Sequence, residues 1–208
     1  MKQAPLLVKV IILLSLGFSL RLLISCKQYP LDPEIIDFNQ LRLAGIDNSG
    51  LYLDHSTSVD TLYAEAVVVK LTLSDTSLYY SSHRPETQHP FAFQALQADD
   101  ISPSYVPRNK VVAIRIHTLQ DINAALQAGD EITEQVLSSF GDNFGLYQAL
   151  PEGIAWLNGV HRDYPERFLL LVLSTPVENT SAQFEVRVRL DNEQELVATT
   201  PVFTIIKP

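Results

Sequence analysis

"QFEVRVRL", residues 183–190, is the stretch whose reading decides the fold. Phe184, Val186, Val188 and Leu190 fall on one side of an extended chain, and Glu185, Arg187 and Arg189 on the other. A period of two with one oily and one charged side is what a half-buried antiparallel strand requires. "DNEQ" (191–194) reads as a hairpin loop, and "ELVATTPVFTIIKP" (195–208) as the returning chain. Pro201 has no amide proton for a ladder, so the final strand is expected to be an edge or bulged there.

The same reading extends toward the N-terminus. "RFLLLVLS" (167–174) is apolar from Phe168 to Leu173 and predicts a central strand covered on both faces. "VVAIRIHTL" (111–119) puts Val112, Ile114 and Ile116 inward, with Arg115 and His117 outward. "EAVVVKLTLS" (65–74) puts Val67, Val69, Leu71 and Leu73 on one face, opposite Lys70 and Thr72, with Val68 partly covered. "FAFQALQA" (91–98) and the weakly alternating "QLRLAGI" (40–46) read as further strands, the latter before a turn at 47–50.

"QDINAALQAGDEITEQVLSSF" (120–140) breaks the pattern. Asp121 is placed to cap a helix carrying Ile122, Ala125 and Leu126, with Gly129 as its stop. Asp130 is placed to cap a second helix carrying Ile132, Val136 and Leu137. Residues 81–90, 99–109 and 141–165 read as irregular. The sum is a mainly β chain: an antiparallel two-sheet β-sandwich, immunoglobulin-like in the loose sense, with a short helical insert around 119–140. With one cysteine, the Cys…Trp…Cys signature of true immunoglobulin domains is absent.

The segment from Met1 to Cys26 carries a different kind of signal. Lys2 and Lys9 make a basic start, and Val10 to Leu20 is an apolar run without proline. That run is too short for a hydrocarbon core of ~30 Å, which takes ~20 helical residues. Extension through Arg21 would place a charge at mid-helix, at a cost of ~2.5–3.5 kcal/mol. A basic start followed by a short apolar run is the composition of a secretory signal. Leu23-Ile24-Ser25-Cys26 then resembles the lipobox of bacterial lipoproteins. The resemblance implies cleavage before Cys26, a diacylglycerol thioether on its thiol, and acylation (a palmitate-type chain) of the new amino terminus. Lys27 stands where an aspartate would imply retention in the inner membrane, so the resemblance implies an outer-membrane address. Arg21 departs from the family's uncharged apolar region.

The expected organisation is a signal peptide at 1–25, a lipidated tether at 26–37 with Pro30 and Pro33, and one domain at 38–208. The layout of lipobox, tether and strand-rich body is similar to that of uncharacterised envelope lipoproteins of gut-type Gram-negative bacteria, which implies an address and no activity.

Charge narrows the partners. The chain has 15 basic and 24 acidic residues, a net charge of −9. Removal of residues 1–25 takes away Lys2, Lys9 and Arg21, leaving 12 basic against 24 acidic residues and a net of −12. Nucleic acid, which demands a basic stripe, is not an expected partner. Anionic headgroups would repel the body, so the lipid anchor is the expected contact with the membrane. A glycan, a peptide or another envelope protein is the expected binding partner.

Chemistry-bearing groupings are sparse. His83 and His89 share a proline-containing loop with Glu86, but so wide a gap between ligands fixes no zinc geometry. Asp47, Asn48 and Asp54 lack the alternating oxygens of a calcium loop. No metal and no cofactor is expected. No G-x-S-x-G, H-E-x-x-H or S-x-x-K is present, and no catalytic residue is assigned. The candidate ligand-binding residues are Tyr147, Trp156, His161 and Arg162, gathered with Tyr164 in an irregular segment where aromatic faces lie beside polar groups. Trp156, next but one after Ile154, reads first as a core plug and second as a sugar platform. The expected function is a lipid-anchored, non-enzymatic binding protein of the envelope. The alternatives are an adhesin or fimbria-like subunit, whose 195–206 strand could be donated to a neighbour, and a lipid-anchored glycan hydrolase.

Overall fold

The computed structural model describes residues 32–46, 59–63, 67–77, 103–140, 146–162 and 165–207. Its strands are β1 (Glu34–Ile36), β2 (Gln40–Gly45), β3 (Thr61–Tyr63), β4 (Val68–Ser74), β5 (Ser104–Pro107), β6 (Val111–Thr118), β7 (Val136–Ser139), β8 (Gln148–Ala149), β9 (His161–Arg162), β10 (Arg167–Leu173), β11 (Ser181–Ala182), β12 (Phe184–Leu190), β13 (Glu195–Thr199) and β14 (Phe203–Ile206). Among the described residues, one α-helix, α1 (Leu150–Leu157), and one 3-10 turn (Thr133–Gln135) accompany them. The expected strand at 91–98, the turn at 47–50 and the lipobox lie outside the described residues.

Strand β12 follows the alternation that defined it. Phe184, Val186, Val188 and Leu190 are buried, while Arg187 and Arg189 stand in solvent. It is paired antiparallel to β6 on one side and β13 on the other, with Val186 opposite both Ile116 and Ala198. A five-stranded antiparallel sheet, ordered β2-β4-β10-β7-β8, supplies the opposing layer. Val67, Val69, Leu71, Leu73, Leu169, Leu171 and Leu173 join the inward residues of β6 and β12 in one core. Each such side chain contributes about 1.5–3 kcal/mol by leaving water. The layers leave a cavity of about 20 Å³ between them, lined by Val69, Leu171 and Leu173 on one side and Ile116, Phe184 and Val186 on the other. Strand β13 lies against β2, closing that flank. The architecture is therefore a mainly β, sandwich-like fold.

Strand β10 is buried on both faces, as its unbroken apolar run demands. Leu169, Leu171 and Leu173 face the main core, while Leu170 and Val172 join Val68 and Ile46 in a second apolar cluster on the opposite face. Val68 is fully buried there, more than its expected partial cover.

Four local expectations are corrected. Residues 119–132 do not wind into helices, and only the 3-10 turn Thr133–Gln135 is helical in the 119–140 insert. Side chains compete for the backbone instead. Asn123 Oδ1 accepts from the amides of Ala125 and Leu126, Asp121 Oδ1 from Ala128, and Asp130 Oδ2 from Gln127. Residues 34–36, expected in the tether, form β1 and pair parallel with β5, which itself lies in the expected loop 99–109. Val112 is 47% exposed rather than inward. The register shifts between Arg189 and Leu190, Val111 takes the place opposite Leu190, and the inward phase of β6 slips by one. Residues 195–206 are not one strand. Pro201 separates β13 from β14, and β14 lies between β11 and β3 in another sheet, parallel to β3.

Two asparagines each clasp the backbone of a residue distant in sequence through both polar atoms of the side-chain amide. Asn109 Oδ1 accepts from the Phe38 amide at 2.7 Å, and its Nδ2 donates to the Phe38 carbonyl at 2.8 Å. Asn158 does the same to Val111, at 2.9 and 2.8 Å.

Candidate functional site

The expected site segment is built around α1. Pro151 presets the backbone of its first turn, and Glu152 faces the positive end of its dipole. Gly153 presses against the sheet: a Cβ there would lie 2.7 Å from Ser138 Oγ and 2.9 Å from Ser138 Cβ. The helix therefore packs at a distance only glycine permits. Asn158 ends it, its amide donating back to the Ile154 carbonyl and the next amide, of Gly159, to the Trp156 carbonyl.

This seating brings Trp156 and His161 together. Their ring centroids are 4.4 Å apart, and His161 Nε2 donates to the Trp156 carbonyl at 2.7 Å. The indole also meets Phe140 at 5.6 Å and Phe168 edge-on at 6.2 Å, and Lys70 Nζ stands 4.8 Å from the Phe168 ring centre. Trp156 is half-buried and packs against the main core. Burial lowers the His161 pKa, the bond to Trp156 partly restores it, and the Arg167 charge lowers it further; the result lies below the ordinary 6.5. His161 is thus neutral at pH 7, with its proton on Nε2 toward the carbonyl. Arg162 is exposed on β9, opposite Ser104, and Tyr147 is 45% exposed. Tyr164 lies outside the described residues.

Arg167, one step along β10 from Phe168, is almost fully buried and donates from Nη2 to the Tyr105 carbonyl at 3.0 Å. Burial pushes its pKa down to about 10, which leaves it charged at neutral pH.

A second polar feature lies on the solvent face of β6, β12 and β13. Arg115 stands directly opposite Arg187, and Arg189 stands opposite Ala113 and Glu195. These five side chains line a hollow of about 60 Å³. Glu185 accepts from Arg187 Nε at 2.7 Å along the same strand. The outward positions of all three arginines were legible in the strand alternation, but their convergence depends on the pairing of β6 with β12, segments far apart along the chain.

Among the described residues no group of three or more His, Cys, Asp or Glu could hold a metal, and no helix is long and apolar enough to cross a membrane. No protein family, curated protein or solved structure matches the chain.

Proposed function

We propose that the chain is a lipid-anchored, non-enzymatic binding protein of a bacterial cell envelope, held at the outer membrane through Cys26. The observation that carries the reading is the order of features from Met1 to Cys26: basic start, short apolar run, Ser25, then the thiol. A thiol is needed at that point for the thioether. One acyl chain binds a membrane only marginally, whereas two or three on one cysteine hold it firmly. An acidic body with a net charge near −12 gains nothing from anionic headgroups, which fits attachment by lipid rather than by charge. The exposed side chains around α1, Arg162 and Tyr147 among them, are one surface for a glycan, peptide or envelope-protein partner.

A strand-donating subunit is the weaker reading, because β14 is already paired on both sides. Fractionation and mass spectrometry test the anchor. The natural product is expected to begin at Cys26 with the mass of its lipids added, and Cys26→Ser is expected to leave a precursor or a soluble product. A natural product retaining Met1, or one that begins at Cys26 without lipid, would overturn the reading.

A further inference from the structure

We infer that the hollow between β6, β12 and β13 is a binding site for the carboxylate of a hydroxylated acid, such as a sugar acid. This rests on the reading of the chain as a binding protein, but not on its anchor.

The argument begins with charge. Three of the 12 basic residues that follow Ser25 sit on one sheet face of an acidic chain. Arg115 and Arg187 occupy a direct cross-strand pair, an arrangement that is unfavourable between like charges unless something negative lies between or beside them. The carboxylates of the face offset this only in part: Glu185 and Glu195 are two negative charges against three guanidiniums, which leaves one positive charge over. Glu185 is committed to Arg187 Nε, and Glu195 is one carboxylate among three guanidiniums. A planar guanidinium binds a carboxylate through two parallel N–H donors, a geometry a point charge does not match.

Room is the second consideration. Ala113 occupies the outward position opposite Arg189, and its methyl group leaves the space that a longer side chain would fill. The hollow holds about two water volumes, enough for one carboxylate entering from solvent. Glu195 in the wall then selects among anions. It repels a second negative charge, as on phosphate, and accepts a hydrogen bond from a neighbouring hydroxyl of the ligand. Exposed Val197, opposite Arg187 on β13, offers apolar contact beside the hollow.

The test uses the full chain in detergent micelles. Arginine side-chain Nε–H resonances are followed by NMR during titration with glucuronate, with glucose and with sodium chloride at matched ionic strength. Saturable shifts are expected with glucuronate alone. Arg187→Gln, and Ala113→Leu, which keeps every charge and removes only the space, are each expected to weaken binding about tenfold or more while the thermal melt stays unchanged. A glucuronate response no larger than that of chloride, or one that Ala113→Leu leaves intact, would overturn the assignment. Membrane fractionation is a separate readout, so failure of the hollow and failure of the anchor are distinguishable.

Discussion

Asp75 shows how a single residue can hold two chain segments. Its side chain is almost wholly buried at 5% exposure. Oδ2 accepts from the Asp37 amide at 2.9 Å, and Oδ1 accepts from the Ser77 hydroxyl at 2.6 Å, the Ser77 amide at 2.9 Å and Asn39 Nδ2 at 3.2 Å. Burial alone would raise its pKa, but these bonds outweigh burial and hold it below the ordinary 3.8. A depressed carboxyl pKa favours the folded state above the unfolded value and loses that effect as pH falls through the folded one. Asp75→Asn keeps the shape but removes one acceptor oxygen, and is expected to cost about 1–3 kcal/mol near neutrality. Urea melts of both proteins should converge as the pH drops below about 3.8. A difference that persists undiminished at pH 2–3 would mean that the carboxylate charge is not what matters.

At the scale of elements, the strongly patterned strands β4, β6, β10 and β12 were legible, whereas α1 and strands expected as tether, loop or helix (β1, β5 and β7) were not. Alternation at 183–190 and the apolar run at 168–173 are properties of the segments themselves, and both survive into the fold. Helix α1 was masked by Gly153 and Pro151, residues that ordinarily punctuate structure. Both have specific uses here, Pro151 in the first turn and Gly153 at the contact with β7. The reverse error occurred at 121–126, where Ile122, Ala125 and Leu126 keep helical spacing but Asn123 and Asp121 capture the amides a helix would need. Of the candidate site, the nearness of Trp156 and His161 was readable from their short separation in sequence. The three-arginine hollow was not, because alternation gives the face of a strand and not its partner. Gly153→Ala offers a test of the helix seating. Alanine favours a helix by about 1 kcal/mol, but its Cβ would strike Ser138, which is fully buried and cannot swing away. A net loss of about 1–3 kcal/mol is expected in denaturant melts; a gain in stability would show that α1 can lift off the sheet at no cost.

Over the whole molecule, pairing between distant parts of the chain dominates. Strand β2 pairs with β4, β4 with β10, β6 with β12, and β3 with β14. Strand β14 also bonds β11, so one short segment holds a three-stranded sheet together. Removing residues 201–208 takes both Phe203 and Ile205 from the main core and leaves Leu62 and Ala182 without their ladder partner. Such a truncation is expected to abolish the cooperative thermal transition, read by circular dichroism. A sharp melt within a few degrees of the intact chain would show that this sheet is an appendage.

The parallel join of residues 61–63 to residues 204–206 also carries a schedule. Most of the polypeptide has to be synthesised between the two partners. A ribosome adding roughly 5–20 residues per second needs on the order of 7–30 s to reach Thr204 once Tyr63 is made. Throughout that interval the nascent polypeptide lacks the segment that joins β3 to β11. The joining of β3 to β14 is therefore among the last strand pairings the growing chain can make.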